Sequence, residues 1–178
     1  MIIFISGGCK NGKTKLGLDL GIKLSRNCKR YYLATMIPFD TEDNVRVKRH
    51  QEERKNLGFI SIEKGTDIGN IPLDNKGVIV LDALTSLLLN ETFKAEKEGI
   101  TYDIAKKICL DLDIIFNNYK DVIVISDFIY SDGVIYNEYT ENFKKALACI
   151  DKYVANKANI VIERVLGINH YIKGNIEI

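Results

Sequence analysis

Two hydrophobic patterns alternate along the chain. Short apolar runs at Ile2–Ser6, Arg30–Ala34, Phe59–Glu63, Val78–Leu81, Val122–Ser126 and Ile160–Val165 predict strands. Val78-Ile79-Val80-Leu81 and Val122-Ile123-Val124-Ile125 are apolar at every position, as befits central strands covered on both faces. Between strands the apolar spacing turns helical. Lys15–Arg26 carries Leu16, Leu18, Leu20, Ile22 and Leu24, and Asn142–Asn156 carries Phe143, Leu147, Ile150 and Val154. Strand–helix alternation predicts an α/β fold with a mainly parallel sheet covered by helices. The tail Tyr171–Ile176 holds Gly174-Asn175 between apolar residues and predicts a short C-terminal hairpin.

The first strand runs directly into Gly7-Gly8-Cys9-Lys10-Asn11-Gly12-Lys13-Thr14, and a helical pattern follows at once. This is the G-x-x-x-x-G-K-T phosphate loop in its required strand–loop–helix setting, so the fold expected is P-loop NTPase-like. Backbone N–H groups of the loop cradle phosphate oxygens. Lys13 supplies a cation for the β- and γ-phosphates, and the Thr14 hydroxyl is a Mg²⁺ ligand. The amino end of the next helix adds its positive dipole.

With 178 residues and 46% hydrophobic content, the chain suffices for one α/β domain spanning residues 1–178. A formal net charge of +1 argues against a general nucleic-acid-binding surface. Cys9, Cys28, Cys109 and Cys149 form no C-x-x-C pair and read as reduced thiols. With no basic leader and only the short, Thr- and Ser-interrupted run Ala83–Leu89, neither a signal peptide nor a membrane span is expected, and the location expected is cytoplasmic.

Two further constellations carry chemistry. Asp82 follows the Val78–Leu81 strand directly. A carboxylate ending a neighbouring central strand holds Mg²⁺ or its water in such folds, although an Asp here also suits a helix cap. Asp40 or Thr41 can cap a helix on which Arg46, His50 and Arg54 fall at i, i+4 and i+8 on one face. Two guanidiniums flanking an imidazole suit nucleotide phosphates, and a neutral imidazole can attack an α-phosphate. A solvated surface histidine is the plain alternative, and the polar and charged neighbours Lys48, Arg49, Gln51, Glu52 and Glu53 fit it. His170 reads as structural or exposed, Tyr130 and Tyr136 as packing, and the charges at residues 94–98 as a solvated face.

These residues carry a resemblance. The opening loop Gly7–Thr14 is followed by Tyr32-Leu33-Ala34-Thr35, then Asp40-Thr41-Glu42, then Arg46-Val47-Lys48-Arg49-His50-Gln51-Glu52-Glu53-Arg54. Glu63, Asp82-Ala83-Leu84-Thr85, Asn90, Ala158-Asn159, Gly167-Ile168 and Ile172-Lys173 continue the match. In this order the chain resembles the bifunctional adenosylcobinamide kinase/adenosylcobinamide-phosphate guanylyltransferase family of cobalamin biosynthesis. The resemblance implies phosphorylation of adenosylcobinamide by ATP or GTP. It also implies transfer of GMP from GTP through a guanylyl-histidine at His50, giving adenosylcobinamide-GDP. Lys13 and His50 would be catalytic. Gly7, Gly8, Cys9, Lys10, Asn11, Gly12, Lys13, Thr14, Ala34, Thr35, Met36, Arg46, Gln51, Glu52, Glu53, Arg54, Glu63 and Asp82 would bind nucleotide, and Thr14 and Asp82 the metal. The implied partners are GTP or ATP and a corrinoid, within a homotrimer. The chain departs from the family at Ser126–Tyr136 and at Phe143-Lys144-Lys145 and Asp151-Lys152. A P-loop kinase of another small molecule and a non-catalytic nucleotide-binding regulator are the alternatives.

Overall fold

The computed structural model describes residues 1–38, 51–52, 54–72, 74–98, 104–130 and 132–176. In chain order the elements are β1 (Ile2–Gly7), α1 (Lys13–Ser25), β2 (Arg30–Ala34), β3 (Phe59–Glu63), β4 (Asp74–Asp82), α2 (Leu84–Glu98), α3 (Ile104–Asn118), β5 (Tyr119–Asp127), α4 (Glu138–Lys157), β6 (Ile160–Val165) and β7 (Ile168–Lys173). Helical residues also occupy 51–52 and 54–56, and a 3₁₀ turn occupies Ile68–Asn70.

The strands form one sheet in the order β3-β2-β4-β5-β1-β6-β7. All pairings are parallel except β6–β7. The expected parallel sheet is therefore present, with one antiparallel edge. Side chains alternate between the faces, as strand geometry dictates. One face sets Ile3, Ile5, Tyr32, Val80, Ile123 and Ile125 against Leu16 and Leu20 of α1. The other sets Phe4, Leu33, Ile79, Leu81, Val122 and Val124 against α2, α3 and α4.

Three expectations are corrected. β4 and β5 extend to Asp74 and Tyr119 at their amino ends, beyond the apolar runs that announced them. β4, which ends in Asp82, is not a neighbour of β1, because β5 lies between them. The hairpin is real, but its turn is Leu166-Gly167 rather than Gly174-Asn175. Both turn residues have positive φ, 50° and 79°, which suits a tight two-residue connection. Leucine is a poor residue for that conformation, so the sequence offered little signal.

α1 lies close to the sheet because Gly17 and Gly21 face it. A Cβ at Gly17 would sit 2.8 Å from a methyl of Ile125 and 3.3 Å from Val80. Replacing Gly17 with Val forces α1 outward. The expected cost is about 2 kcal/mol, read as a lowered urea midpoint at unchanged slope.

Candidate functional site

The parallel register delivers the carboxyl ends of six strands to one edge. Gly7 stands opposite Asp127 and Ser6 opposite Glu163. Ala34 pairs with Asp82 on one side and Glu63 on the other. Ligand sites in open α/β sheets lie along this edge. Here the phosphate loop begins, and Gly12, at φ 80°, occupies the N-cap of α1. That left-handed conformation is cheap only for glycine. Arg164 of β6 braces the loop from the outer side. Its Nε donates to the Asn11 carbonyl at 3.4 Å, and its guanidinium also bonds Asn169.

Lys13 is 6% exposed. Its Nζ donates to the Gly8 carbonyl at 2.7 Å and pairs with Asp127 Oδ1 at 2.8 Å. The ammonium is thus held over the loop by one neutral and one charged acceptor. Thr14 Oγ1 donates to Asp82 Oδ2 at 2.7 Å, across the width of β5. The Tyr32 hydroxyl donates to the same oxygen at 2.6 Å. Burial, then the Asp82 charge, pushes the Tyr32 phenol well above its ordinary range, so it stays protonated.

A second group adjoins this one. The Arg54 guanidinium lies 4.1 Å from the centroid of the Tyr32 ring, a cation–π contact. Arg54 Nη2 is 3.4 Å from Glu63 Oε1, which also accepts from Gln51 Nε2 at 3.1 Å. Arg54 is 8% exposed, and its Nε, buried, has no partner among the described residues. A buried guanidinium N–H without an acceptor is costly, and an anionic ligand oxygen would satisfy it.

The site residues predicted from sequence fall into three groups. Gly7–Thr14, Asp82, Gln51, Arg54 and Glu63 meet along this edge. Thr35 is fully buried, and its hydroxyl donates to the Ala83 carbonyl at 2.7 Å and accepts from the Ala83 N–H at 2.8 Å. Asn90 Nδ2 in turn donates to the Thr35 carbonyl at 2.7 Å. These two side chains tie strand ends together, and Met36 is the exposed member of residues 34–36. Glu52 is exposed. His50, Arg46, Glu53 and the capping residues Asp40 and Thr41 lie outside the described residues. Sequence reading gave no role to Asp127, to the Tyr32 hydroxyl or to Arg164. Asp127 had a signal: it ends the Val122–Ser126 run as Asp82 ends Val78–Leu81.

Thr14 and Asp82 offer a hydroxyl and a carboxylate sharing one hydrogen bond, a hard-oxygen pair suited to Mg²⁺. Among the described residues no three His, Cys, Asp or Glu side chains gather around a metal position. Mg²⁺ there would complete its shell from phosphate and water. No helix among the described residues is long and apolar enough to cross a membrane.

On the opposite face of the sheet, an open groove of about 340 Å³ is lined by Phe4, Ser6, Phe128, Tyr130, Asp151 and Ile172, among others. Asp151 accepts from the Tyr130 hydroxyl at 2.5 Å. Burial, reinforced by the nearby Asp127 charge and opposed by the hydrogen bond from Tyr130, lifts its carboxyl to about 6.

The fold and loop define a phosphate-loop nucleotide-binding protein. A solved ATPase domain is similar in fold: TM-score 0.50, 12% identity, covering 91% of this chain and 68% of that one. The flagellar accessory protein FlaH from Methanocaldococcus jannaschii has a TM-score of 0.47 at 12% identity, covering 98% and 78%. No curated protein matches the chain. A family model for cobinamide kinase / cobinamide phosphate guanyltransferase matches residues 3–172. The chain belongs to that family, and so to the transferases of cobalamin biosynthesis.

The raised carboxyl of Asp151 gives stability a pH dependence. The folded value lies above the ordinary one of 3.8, so stability is fully present below about pH 4 and is lost as pH rises through about 6. The loss expected is about 2–3 kcal/mol. Urea unfolding of Asp151→Asn between pH 4 and 7 should lack that decline, the difference from wild type isolating this group.

Proposed function

We propose that the chain phosphorylates adenosylcobinamide with ATP or GTP and then transfers GMP from GTP to the phosphorylated product, giving adenosylcobinamide-GDP. Family membership supports the reaction pair. The observation that carries the kinase half is the meeting of Lys13, Thr14, Asp82 and Asp127 at one sheet edge. Mg²⁺, when bound by Thr14 and Asp82, would offset the triphosphate's charge. Lys13 exchanges its contact with the Gly8 carbonyl for phosphate oxygens and steadies the γ-phosphoryl group as it transfers. Asp127, paired with Lys13, accepts the proton leaving the acceptor hydroxyl.

In the second half, an imidazole nitrogen of His50 attacks the α-phosphorus of GTP. The bond to the bridging oxygen breaks and pyrophosphate leaves. A phosphate oxygen of the acceptor then attacks the same phosphorus and frees His50. The Arg54 Nε–H, without an acceptor among the described residues, is suited to an oxygen of the α-phosphate, and Gln51 and Glu63 support its guanidinium. A homotrimer in the cytoplasm remains the expected setting.

Incubation with Mg²⁺ and α-labelled GTP, followed by intact-mass analysis, tests the transferase half. Wild type should carry one GMP and release pyrophosphate, while His50→Ala carries none. An unlabelled wild type that still binds GTP would leave a kinase alone. For the kinase half, Asp127→Asn should lower kcat by about 100-fold and change nucleotide affinity less than about threefold. An unchanged kcat removes Asp127 from the chemistry.

A further inference from the structure

The hydrogen bonds around Asp82 are one-sided. Thr14 and Tyr32 both donate to Oδ2, and among the described residues no hydrogen bond reaches Oδ1. Two donors on one oxygen fix the plane of the carboxylate and leave Oδ1 as the oxygen to meet a cation or its water. Thr14 is exposed, at the start of α1. Tyr32 is 4% exposed and rooted in β2, so it is the rigid member of the pair. Its ring is fixed in turn. Phe59 meets it edge-on at a centroid separation of 6.5 Å, and the Arg54 guanidinium covers it at 4.1 Å. Arg54 is helical, as is Gln51, and the two share Glu63.

A continuous path therefore joins the segment carrying Gln51 and Arg54 to the phosphate loop: Glu63, Arg54, Tyr32, Asp82, Thr14. We propose that Tyr32 is a positioning residue that sets the Asp82 carboxylate for the divalent cation and, through Arg54, makes cation affinity depend on that segment. The proposal rests on the reading of Asp82 as the metal carboxylate. Outer-shell groups of this kind change metal affinity by about 10–100-fold when removed. Because coupling between sites is reciprocal, a cation bound at Asp82 also orders Arg54 for its own ligand.

The test uses the full chain saturated with guanosine 5′-(β,γ-imido)triphosphate, with Mn²⁺ as the probe and free Mn²⁺ read by electron paramagnetic resonance. Tyr32→Phe keeps the ring beneath Arg54 and removes only the donor. It should weaken Mn²⁺ binding about tenfold, while metal-free nucleotide affinity in EDTA stays within about twofold. Arg54→Lys loses the flat cover over the ring and should weaken Mn²⁺ in the same direction. It carries the test if Tyr32→Phe does not fold. In the double variant the two effects should not add, since both act through one hydroxyl. Unchanged Mn²⁺ affinity in a folded Tyr32→Phe overturns the proposal, and strict additivity overturns the link through Arg54. Wild type that binds nucleotide without Mn²⁺ overturns the metal reading of Asp82 and this proposal with it, an outcome distinct from the other two.

Discussion

The parallel register of β1, β5 and β4 is the constraint on which the site depends. It sets Gly7 opposite Asp127 and Asp82 opposite Ile125, so the loop and both carboxylates end at nearly one height. A one-residue slip would turn each of these side chains to the other face. Register is enforced by burial on both sides: Ile3, Ile5, Ile123 and Ile125 must meet α1, while Phe4, Val122 and Val124 must meet the opposite layer. The candidate site is thus positioned by packing some distance away from it. Asn159 contributes at the far end, where its side chain accepts from the Ile2 N–H at 2.7 Å and starts β1 in step with β6.

At the edge itself, opposite charges hold each other in readiness. Lys13 rests on Asp127, Arg54 on Glu63, and Thr14 and Tyr32 on Asp82. Neither carboxylate of the two ion pairs lies deep in the core: Asp127 is 34% exposed and Glu63 39% at the side chain. Such pairs contribute little to stability in water. Their value is directional, because each cation is aimed before ligand arrives and little reorganisation remains.

Much of this was legible in the sequence, for reasons that can be named. Arg30–Ala34, Phe59–Glu63 and Ile160–Val165 were legible to the residue because their aromatic, β-branched and aliphatic residues cluster in short runs. The phosphate loop was legible because its glycines and lysine are local requirements. The placement of β5 between β1 and β4 was not, since strand order arises from pairings far apart in sequence. Asp127 ends its apolar run as Asp82 does, but its pairing with Lys13 depends on β5 lying beside β1, which the chain's order does not show. The Tyr32 hydroxyl was hidden similarly, as a tyrosine in an apolar run reads as core until its partner across the sheet is known. The hairpin turn was misplaced because Leu166 takes a backbone conformation its type disfavours, carried by the ladder from Val165–Ile168 to Ile162–Tyr171.

The pairing of β1 has a consequence for biosynthesis. Its partners begin at Val122 and Ile160, so this strand is made well before either neighbour that encloses it. Until both have been made, Ile2–Ile5 lacks its ladder and the loop behind it lacks a wall, since Asp127 and Arg164 arrive with those same strands. The nascent chain therefore passes through a long interval with an unpaired apolar strand and a phosphate loop without the side chains that brace it. Over that interval the unpaired apolar strand is the aggregation-prone part of the chain.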